Sequence, residues 1–291
     1  MLISHPETVQ EVLVSAVRAL GARNGYAAAR LEAEILLAHT LNISRALLLA
    51  RLGEPISSAN AAQFAGMVAR RAQHEPLAYI LGHQEFYGLD FIVDRRVLIP
   101  RPETEHVVEL ALDALKKIAH PEPVIADVGT GSGAIALALV HKTTQTKIYA
   151  TDVSPDALAV AQLNAARFRL SERVEFRNTD LLEGITTPLD LITANLPYIP
   201  LERSSRLPRE IRAYEPRVAT IAGLDGLSVI RRLLQQVESH AARACFIFLE
   251  ISEEQGDAVK DLVNAVLPHA QVQIHRDLEQ LDRVVEIQLT R

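Results

Sequence analysis

The sequence predicts an α/β protein in which a small helical bundle and a β-hairpin connector precede a mostly parallel sheet. Three observations predict this fold class. Apolar side chains recur at three- and four-residue spacing through the first 81 residues, two short strand-like runs follow, and beyond residue 103 apolar runs alternate with amphipathic stretches. The first pattern is typical of packed helices. The last is typical of a parallel sheet covered by helices on both faces.

The N-terminal region is predicted to be a helical domain over residues 1–82. Four segments have helical spacing, and they cover residues 11–20, 27–41, 44–51 and 58–73. Ser58 is a candidate N-cap for the last of them. Alternating apolar and polar residues are absent, so we expect no sheet in this region.

Residues 83–102 are predicted to form a β-hairpin connector. Two runs have strand composition, 86–93 and 96–99, and Asp94-Arg95 separates them. Pro100 and Pro102 disfavour helix at the residues that precede them, so the connector should end there.

Residues 103–291 are predicted to form the sheet domain. Its seven candidate strands cover residues 123–128, 147–152, 173–177, 189–194, 245–251, 272–275 and 283–289. Helical patterns cover 103–118, 134–141, 154–168, 227–240 and 253–267. The last two strands are joined by only a short linker, and we therefore expect them to pair antiparallel.

Composition excludes several classes of protein. The formal net charge is −6, and residues 1–100 carry nine acids and nine arginines, so stable binding to a nucleic-acid backbone is not expected. No apolar run reaches the roughly 18 residues of a membrane span, and residues 1–11 lack the basic start of a signal peptide. We expect a cytoplasmic protein that does not bind a membrane.

Cysteine and histidine usage indicates neither a disulfide framework nor a metal site. Cys245 is the single cysteine and lies in a strand-like run, where a small buried side chain is expected. The ten histidines are scattered, with no Cys/His cluster at ligand spacing.

A glycine-rich turn after the first strand of the sheet domain predicts a nucleotide-type cofactor. The turn runs from Asp127 to Gly133 (Asp-Val-Gly-Thr-Gly-Ser-Gly) and opens an alanine-rich helix. Glycines allow a ligand to approach the backbone, and a helix N-terminus offers unpaired N–H groups. Asp152 ends the next strand, 23 residues after Gly129, near the spacing at which a carboxylate meets ribose hydroxyls.

Two cofactors fit this turn. Gly129, Gly131 and Ala134 match the loose dinucleotide pattern, so NAD(P) is one candidate. Asp127 favours the other, because a carboxylate before the turn suits a cationic ligand such as S-adenosylmethionine. Asp180 follows the third strand and can accept from an adenine amine, with Leu181 against the ring. Acids are also common caps at strand ends.

The tetrapeptide Asn195-Leu196-Pro197-Tyr198 predicts a grip on a planar amino group. It follows the buried run at 189–194. In an open parallel sheet, ligands bind beyond the carboxyl ends of the strands, so this loop faces the cofactor if its strand lies beside the cofactor strand. The Asn oxygen and a backbone carbonyl can accept the two amino hydrogens, and the Tyr ring can cover the face. Such positioning can contribute several kcal/mol to catalysis, and no strong general base is required.

With these motifs the chain resembles the protein-(glutamine-N5) methyltransferases that modify peptide-chain release factors. The matching stretches cover nearly the whole chain: residues 76–82, 85–88, 97–105, 127–133, 152, 195–198, 214–216, 223–227, 249–251, 255–256 and 282–283. The resemblance implies a seven-stranded, Rossmann-like, S-adenosylmethionine-dependent methyltransferase domain behind a helical substrate-recognition domain. It also implies methylation of the glutamine amide in the release factor's Gly-Gly-Gln tripeptide.

The candidate site residues follow from the motifs and the resemblance together. The residues expected to act in catalysis and substrate binding are Asn195, Leu196, Pro197 and Tyr198. Those expected to bind the cofactor are Asp127, Gly129, Thr130, Gly131, Ser132, Gly133, Asp152, Asp180, Leu181 and Asn195. Glu250, at the end of another strand, is interpreted as structural.

Leu196 is one departure from the family pattern, which has proline there. By resemblance this residue contributes its backbone carbonyl, which leucine also has. The fixed φ of proline is lost, so we expect a less rigid loop and an effect on rate more than on substrate identity.

Three other functions compete with glutamine methylation. An adenine-N6 methyltransferase uses a similar tetrapeptide, but the acidic balance and the absence of a recognisable nucleic-acid reader disfavour it. An inactive binding module would not need the intact turn and both acids. A nicotinamide dehydrogenase would need a proton-relay group near the turn, and none is evident.

Overall fold

The computed structural model of the protein describes residues 7–119, 121–144 and 146–290, with the side chains of residues 22–24 left out of the description. Most of the N-terminal stretch considered above for a signal peptide, residues 1–6, therefore lies outside the described residues. The described chain forms two compact units. One contains the residues up to Gly82 together with Arg209–Tyr214, and the other contains His83–Pro208 and the chain from Glu215 onward.

The helices have defined N-terminal caps where the sequence supplies a short polar side chain. Thr8 Oγ1 accepts from Glu11 N at 3.3 Å while Thr8 N donates to the Glu11 carboxylate at 2.8 Å, which is a capping box. The side chains of Ser44 and Ser154 cap two further helices by accepting from the backbone N–H three residues later. The helices are α1 (Val9–Asn24), α2 (Tyr26–Leu41), α3 (Arg45–Ala50), α4 (Ser58–Ala72), α5 (Leu77–Leu81), α6 (Glu105–Leu115), α7 (Ala134–Lys142), α8 (Pro155–Phe168), α9 (Arg209–Tyr214), α10 (Ser228–His240) and α11 (Gly256–Val266).

The predicted seven-stranded, mostly parallel sheet is confirmed. The strands are β1 (His83–Phe86), β2 (Leu89–Ile92), β3 (Val124–Val128), β4 (Lys147–Asp152), β5 (Val174–Asn178), β6 (Leu189–Ala194), β7 (Ala241–Glu250), β8 (Gln271–Arg276) and β9 (Asp282–Thr290). The last seven form one sheet in the order β5-β4-β3-β6-β7-β9-β8. The five strands from β3 to β7 pair parallel. β9 runs antiparallel to β7 and β8, as the short final linker predicted.

Two local predictions of the helical unit and its connector differ from the structure. The N-cap of α4 is Ser57, whose Oγ accepts from Asn60 N at 3.2 Å, and not Ser58. Ser58 is instead the first residue of the helix. Helix α5 was not among the predicted helices, since five residues are too few to set a helical period.

The connector hairpin is present, but the predicted turn at Asp94-Arg95 is wrong. β1 and β2 pair antiparallel around Tyr87 and Gly88, which have φ of +52° and +78°. Two consecutive residues with positive φ form the turn whose twist suits a two-residue hairpin. Asp94 instead accepts from Arg96 N at 3.0 Å and from the Arg96 guanidinium, which closes a separate local turn.

The helical unit buries the apolar faces of α1, α2 and α4 in a core of its own, which includes Leu36, Leu37 and Phe64. Arg71 on α4 is a buried cation within this unit. Its guanidinium bonds Glu32 at 2.6 and 2.9 Å, and Glu210 of α9 at 2.7 Å. Helix α9, although it comes late in the sequence, is thus joined to α4 by the ion pair between Glu210 and Arg71.

Replacement of Arg71 by methionine is expected to lower the free energy of unfolding of the helical unit by about 3 kcal/mol. The carboxylates of Glu32 and Glu210 would lose the guanidinium with which they pair. Breaking a buried ion pair typically costs about 3–5 kcal/mol. Urea denaturation followed by circular dichroism measures the change.

The matched control is Arg51→Met. Arg51 is exposed and lies 3.8 Å from Glu54, a surface pair that contributes about 0–1 kcal/mol. Equal losses of stability in the two variants would contradict the structural role of Arg71.

Candidate active site

The candidate site lies at the carboxyl ends of three adjacent parallel strands. Asp127 near the end of β3 is in register with Ala150 on β4 and Thr193 on β6. The residues that follow these strands therefore emerge at one edge of the sheet, where open α/β sheets bind ligands. The strand before the tetrapeptide does lie beside the cofactor strand, which was the condition for the predicted site.

The glycine turn adopts a backbone that other residues would strain. Gly129, Gly131 and Gly133 have φ of +71°, +56° and +82°. The turn is fixed to β4 because the backbone N–H groups of Gly129 and Thr130 both donate to the Thr151 carbonyl at 2.9 Å. Glycine pays no steric penalty in this region of φ, so the sequence can make the turn without a side chain in the ligand's path.

Asp127 is buried beneath the turn, and its carboxylate accepts three hydrogen bonds from other groups of the protein. One carboxylate oxygen accepts from Thr130 Oγ1 at 2.6 Å and from Ala136 N at 3.3 Å, and the other accepts from Thr193 Oγ1 at 2.9 Å. Burial raises the pKa of Asp127 to about 6, although these three bonds oppose the shift. Asp127 joins the turn, the following helix and β6. Its expected contact with a cationic ligand stays a prediction.

Asp152 presents a carboxylate at the end of β4, beside the turn. Its two oxygens accept from Gly131 N and Ser154 N, both at 2.9 Å. Burial raises the pKa of this carboxyl, against the effect of the backbone bonds. The backbone bonds hold the side chain at the cavity wall, where lone pairs remain for a ligand's hydroxyl groups.

A cavity of about 370 Å³ opens at this edge of the sheet, within the second unit. Pockets that bind small ligands typically have volumes of about 300–1,000 Å³. Ten of the predicted site residues line the cavity: Gly129, Thr130, Gly131, Ser132, Asp152, Asp180, Leu181, Asn195, Leu196 and Pro197. Asp127, Gly133 and Tyr198 do not line it.

Asp180 and Leu181 form part of the cavity wall next to Asp152. The Asp180 carboxylate pairs with the guanidinium of Arg232, which also lines the cavity. Leu181 is nearly fully buried and has φ of +55°. A backbone conformation of this kind costs on the order of 1–3 kcal/mol and is found more often at ligand sites. The Leu181 side chain gives the cavity an apolar wall that suits a planar ring.

The acceptor loop, Asn195–Tyr198, is held by side chains far away in sequence. Asn195 Nδ2 donates to Thr104 Oγ1 at 3.1 Å. The Tyr198 carbonyl accepts from Gln255 Nε2 at 3.0 Å. A Cβ at position 226 would lie only 2.4 Å from that carbonyl oxygen, so glycine is required there. Both ends of the loop are thus fixed from outside it.

Leu196 connects the acceptor loop to the glycine turn. Its side chain is 4% exposed and belongs to the core of the sheet domain. A Cβ on Gly129 would lie 3.0 Å from Leu196 Cδ2. Packing against the turn therefore restrains the loop at the position where the family pattern has the fixed φ of proline.

One half-buried ionisable group lies in the acceptor loop, and one buried group lies behind it. Burial raises the pKa of the Tyr198 hydroxyl, and the nearby charge of Glu250 adds to this. Glu250 ends β7 and is 2% exposed, and burial raises its pKa to about 7. Thr104, Gln255 and Glu250 were not among the predicted site residues. All three lie in stretches that matched the family.

The described residues show neither a metal-binding cluster nor a membrane-spanning helix. Residues 7–119, 121–144 and 146–290 contain no group of three or more His, Cys, Asp or Glu side chains arranged to hold a metal ion. Across the same ranges, no helix has both the length and the apolar character that crossing a membrane requires.

Two family models match parts of the chain. Residues 11–82 match the PrmC N-terminal domain. Residues 104–205 match the ribosomal protein L11 methyltransferase (PrmA). The boundary between these matches falls in the hairpin connector.

Sequence relatives match almost the whole chain. A release factor glutamine methyltransferase of Moorella thermoacetica is 44% identical over 277 residues, which are 95% of this chain and 96% of the relative. A release factor glutamine methyltransferase of Koribacter versatilis is 40% identical over 236 residues, 80% of this chain and 83% of the relative.

Among solved structures, the hMettl16 catalytic domain in complex with MAT2A 3'UTR hairpin 6 has the same fold. It aligns with a TM-score of 0.56 over 82% of this chain and 84% of its own, at 15% sequence identity. Similarity at this level of identity supports the methyltransferase fold and no finer conclusion.

Replacement of Gly226 by alanine is expected to lower the free energy of unfolding by about 3 kcal/mol, within the range of overpacking and backbone strain combined. The new Cβ would press on the Tyr198 carbonyl oxygen, a backbone atom that cannot move without shifting the acceptor loop. Denaturant titration measures the loss.

Gly184→Ala is the matched control for this substitution. Gly184 has φ of +74°, close to the +77° of Gly226, but a Cβ there would meet nothing within 4 Å. It should cost only the strain of positive φ, about 1 kcal/mol. If both variants lose the same stability, the contact with Tyr198 does not require glycine at position 226.

Proposed function

The chain belongs to the family of release factor glutamine methyltransferases, and we propose that it methylates the side-chain amide nitrogen of a glutamine in peptide-chain release factors. The glutamine is that of the Gly-Gly-Gln tripeptide. The observation that carries this proposal is the juxtaposition of the Asn195 loop with the glycine turn at one edge of the sheet. A relative of this name that is 44% identical over 95% of this chain supports the same conclusion.

S-adenosylmethionine is the cofactor that we propose for the cavity, and when bound it supplies the methyl group. The fit rests on three features of the wall. Asp152 offers carboxylate lone pairs for ribose hydroxyls, Leu181 offers an apolar surface for the adenine ring, and the glycine turn leaves room beside the helix N-terminus. Asp180 would accept a hydrogen bond from the adenine amine while it also forms its ion pair with Arg232.

Asn195 and the Leu196 carbonyl are proposed to bind the acceptor amide. An amide nitrogen is a weak nucleophile because its lone pair is delocalised. Two acceptors on its hydrogens raise the electron density on nitrogen and fix its direction of approach, and positioning of this kind contributes several kcal/mol, on the order of 7–11 kcal/mol at the upper limit. Pro197 and Tyr198 are proposed to shape the loop, with the Tyr198 ring against the acceptor's face.

Release factors are the proposed protein partners, and the helical domain over residues 1–82 is proposed to bind them. Its match to the PrmC N-terminal domain supports this assignment. The connector over 83–102 and the methyltransferase domain over 103–291 complete the proposed division. The net charge of −6 disfavours stable binding to nucleic acid. The cytoplasm is the compartment we expect for this substrate.

Label transfer from S-adenosylmethionine tests the substrate. We expect the protein to label a release factor, and to leave unlabelled the same factor with the glutamine of Gly-Gly-Gln replaced by alanine. DNA is the third substrate in the assay, because the exocyclic amine of adenine is also a planar, weakly nucleophilic amino group. Label on DNA, or equal label on the two factors, would overturn the proposal.

Asn195→Ala should abolish methyl transfer and leave cofactor binding within about twofold of wild type, because the change removes an acceptor for the substrate amide and leaves in place the glycine turn, Asp152 and Leu181, on which the proposed cofactor fit rests. Scintillation counting measures the transfer, and isothermal titration calorimetry with S-adenosylhomocysteine measures binding.

Asn264→Ala, at an exposed position on α11, is the control and should retain both properties. Loss of cofactor affinity in Asn195→Ala would mean that Asn195 faces the cofactor or supports the fold.

A further inference from the structure

Behind the acceptor loop, the side-chain amide of Asn195 rests on two buried polar side chains. Asn195 Nδ2 donates to Thr104 Oγ1 at 3.1 Å. Thr104 and Asn195 also lie beside the Glu250 carboxyl, and their polar side chains lower its pKa against the effect of burial. Thr104 is 4% exposed and Glu250 is 2% exposed. Thr104 lies just before α6, Asn195 just after β6, and Glu250 at the end of β7.

Thr104 alone cannot determine which way the Asn195 amide faces. A threonine hydroxyl both donates and accepts, so it can bond either the nitrogen or the oxygen of the amide. A carboxylate accepts only. When Thr104 gives its proton to Glu250, the Thr104 oxygen is left as an acceptor. The Asn195 side chain must then present its nitrogen to the buried side, and its Oδ1 is directed away from it.

We propose that Glu250 and Thr104 are positioning residues that orient the Asn195 amide so that its Oδ1 is available to the acceptor nitrogen. The inference rests on the proposed function and deepens it, because it names the residues that set the hydrogen-bonding direction of the acceptor site. Neither residue is proposed to touch the substrate. Both act through Asn195.

Glu250 has a carboxylate oxygen that accepts no hydrogen bond from the described residues, which fits a positioning role better than a role in stability. Its Oε2 is buried with no hydrogen-bond partner, an arrangement that costs free energy in a folded protein. Groups kept at such a cost are more common at functional sites than in structural cores.

The charges that face Glu250 come from several elements. Arg283 on β9 favours the ionised form, and Glu103 before α6 opposes it. The Tyr198 hydroxyl is affected by the charge of Glu250, and the charges of Arg283 and Arg101 also act on that hydroxyl. Burial outweighs the favourable contacts and raises the pKa of Glu250 to about 7. Below that pH the protonated carboxyl can donate to Thr104, which removes the preference for the productive orientation.

The direction of the stability effect separates positioning from structural support. The folded-state pKa of Glu250 is raised above its ordinary value of 4.5. Its ionisation therefore favours the unfolded chain, and the associated stability is lost as the pH rises through about 7. Glu250→Gln removes this loss, so the variant should be at least as stable as wild type above pH 7. A structural carboxylate would instead leave the variant less stable.

Kinetics of four proteins test the inference first. Thr104→Val and Glu250→Gln should each lower kcat roughly 10- to 100-fold, the scale of a misplaced reacting group, with the affinity for S-adenosylhomocysteine unchanged. Thr104→Ser keeps the hydroxyl and should restore kcat to within about threefold of wild type. In wild type kcat should rise with pH around 7, and in Glu250→Gln this rise should be absent. Unchanged kcat in Thr104→Val, or an unchanged pH profile in Glu250→Gln, would overturn the inference.

Thr193→Val is the matched control. Thr193 is also a buried threonine that bonds one site residue, but its partner is Asp127 beneath the glycine turn. This variant should weaken S-adenosylhomocysteine binding, whereas Thr104→Val should not. If Thr104→Val weakens that binding as much as Thr193→Val does, Thr104 supports the cofactor site and the inference fails.

A readout without methyl transfer separates this inference from the proposed function. In protein labelled with ¹⁵N at asparagine, the Asn195 side-chain amide signal, assigned with Asn195→Ala, should shift with a midpoint near pH 7. The shift should be absent in Glu250→Gln. If it is present in both or in neither, the orientation is not set by Glu250, whatever the substrate. If the signal behaves as expected while wild type labels no release factor, the proposed function fails and the positioning stands.

Discussion

The parallel pairing of β3 with β6 is the constraint on which the site depends. It places Asp127 opposite Thr193, and the buried bond between their side chains joins the two strands just before each one ends. The glycine turn and the acceptor loop then emerge side by side. Burial of the Asp127 carboxyl is costly, and hydroxyl and backbone donors on both sides offset part of that cost. The same contact therefore fixes the turn and the spacing between the two halves of the site.

The acceptor loop owes its shape to its neighbours more than to its own residues. Gln255 holds the Tyr198 carbonyl, Gly226 leaves room for it, and Leu196 packs against the turn. Loops that carry function are commonly positioned by a rigid scaffold in this way. Leu196 restrains the loop through its buried side chain, at the position where the family pattern has proline. The restraint comes from packing and not from a fixed torsion angle.

The chain between β6 and α10 serves both units of the protein. It leaves the acceptor loop, contributes α9 to the helical unit and then returns to the sheet domain. Within the helical unit, Arg71 bonds Glu210 and the Tyr214 hydroxyl donates to the Gln73 carbonyl at 3.0 Å. The segment that follows the tetrapeptide is thereby connected, through the chain itself, to the domain proposed to bind the protein substrate.

The sequence by itself determined the order and type of nearly all the large elements, because most of the sheet strands are apolar or alternating runs and the stretches between them have helical spacing. It also identified the cofactor turn and the acceptor tetrapeptide, since glycine spacing and the Asn-Leu-Pro-Tyr loop are local features. It misplaced the hairpin, where Tyr87 adopts a positive φ that its residue type does not indicate. Only the tertiary structure decided that Asp127 bonds inward, and that Thr104 and Glu250 lie behind Asn195. Thr104 and Asn195 are 91 residues apart, and contact at that separation is set by how helices and strands pack, which no local pattern records.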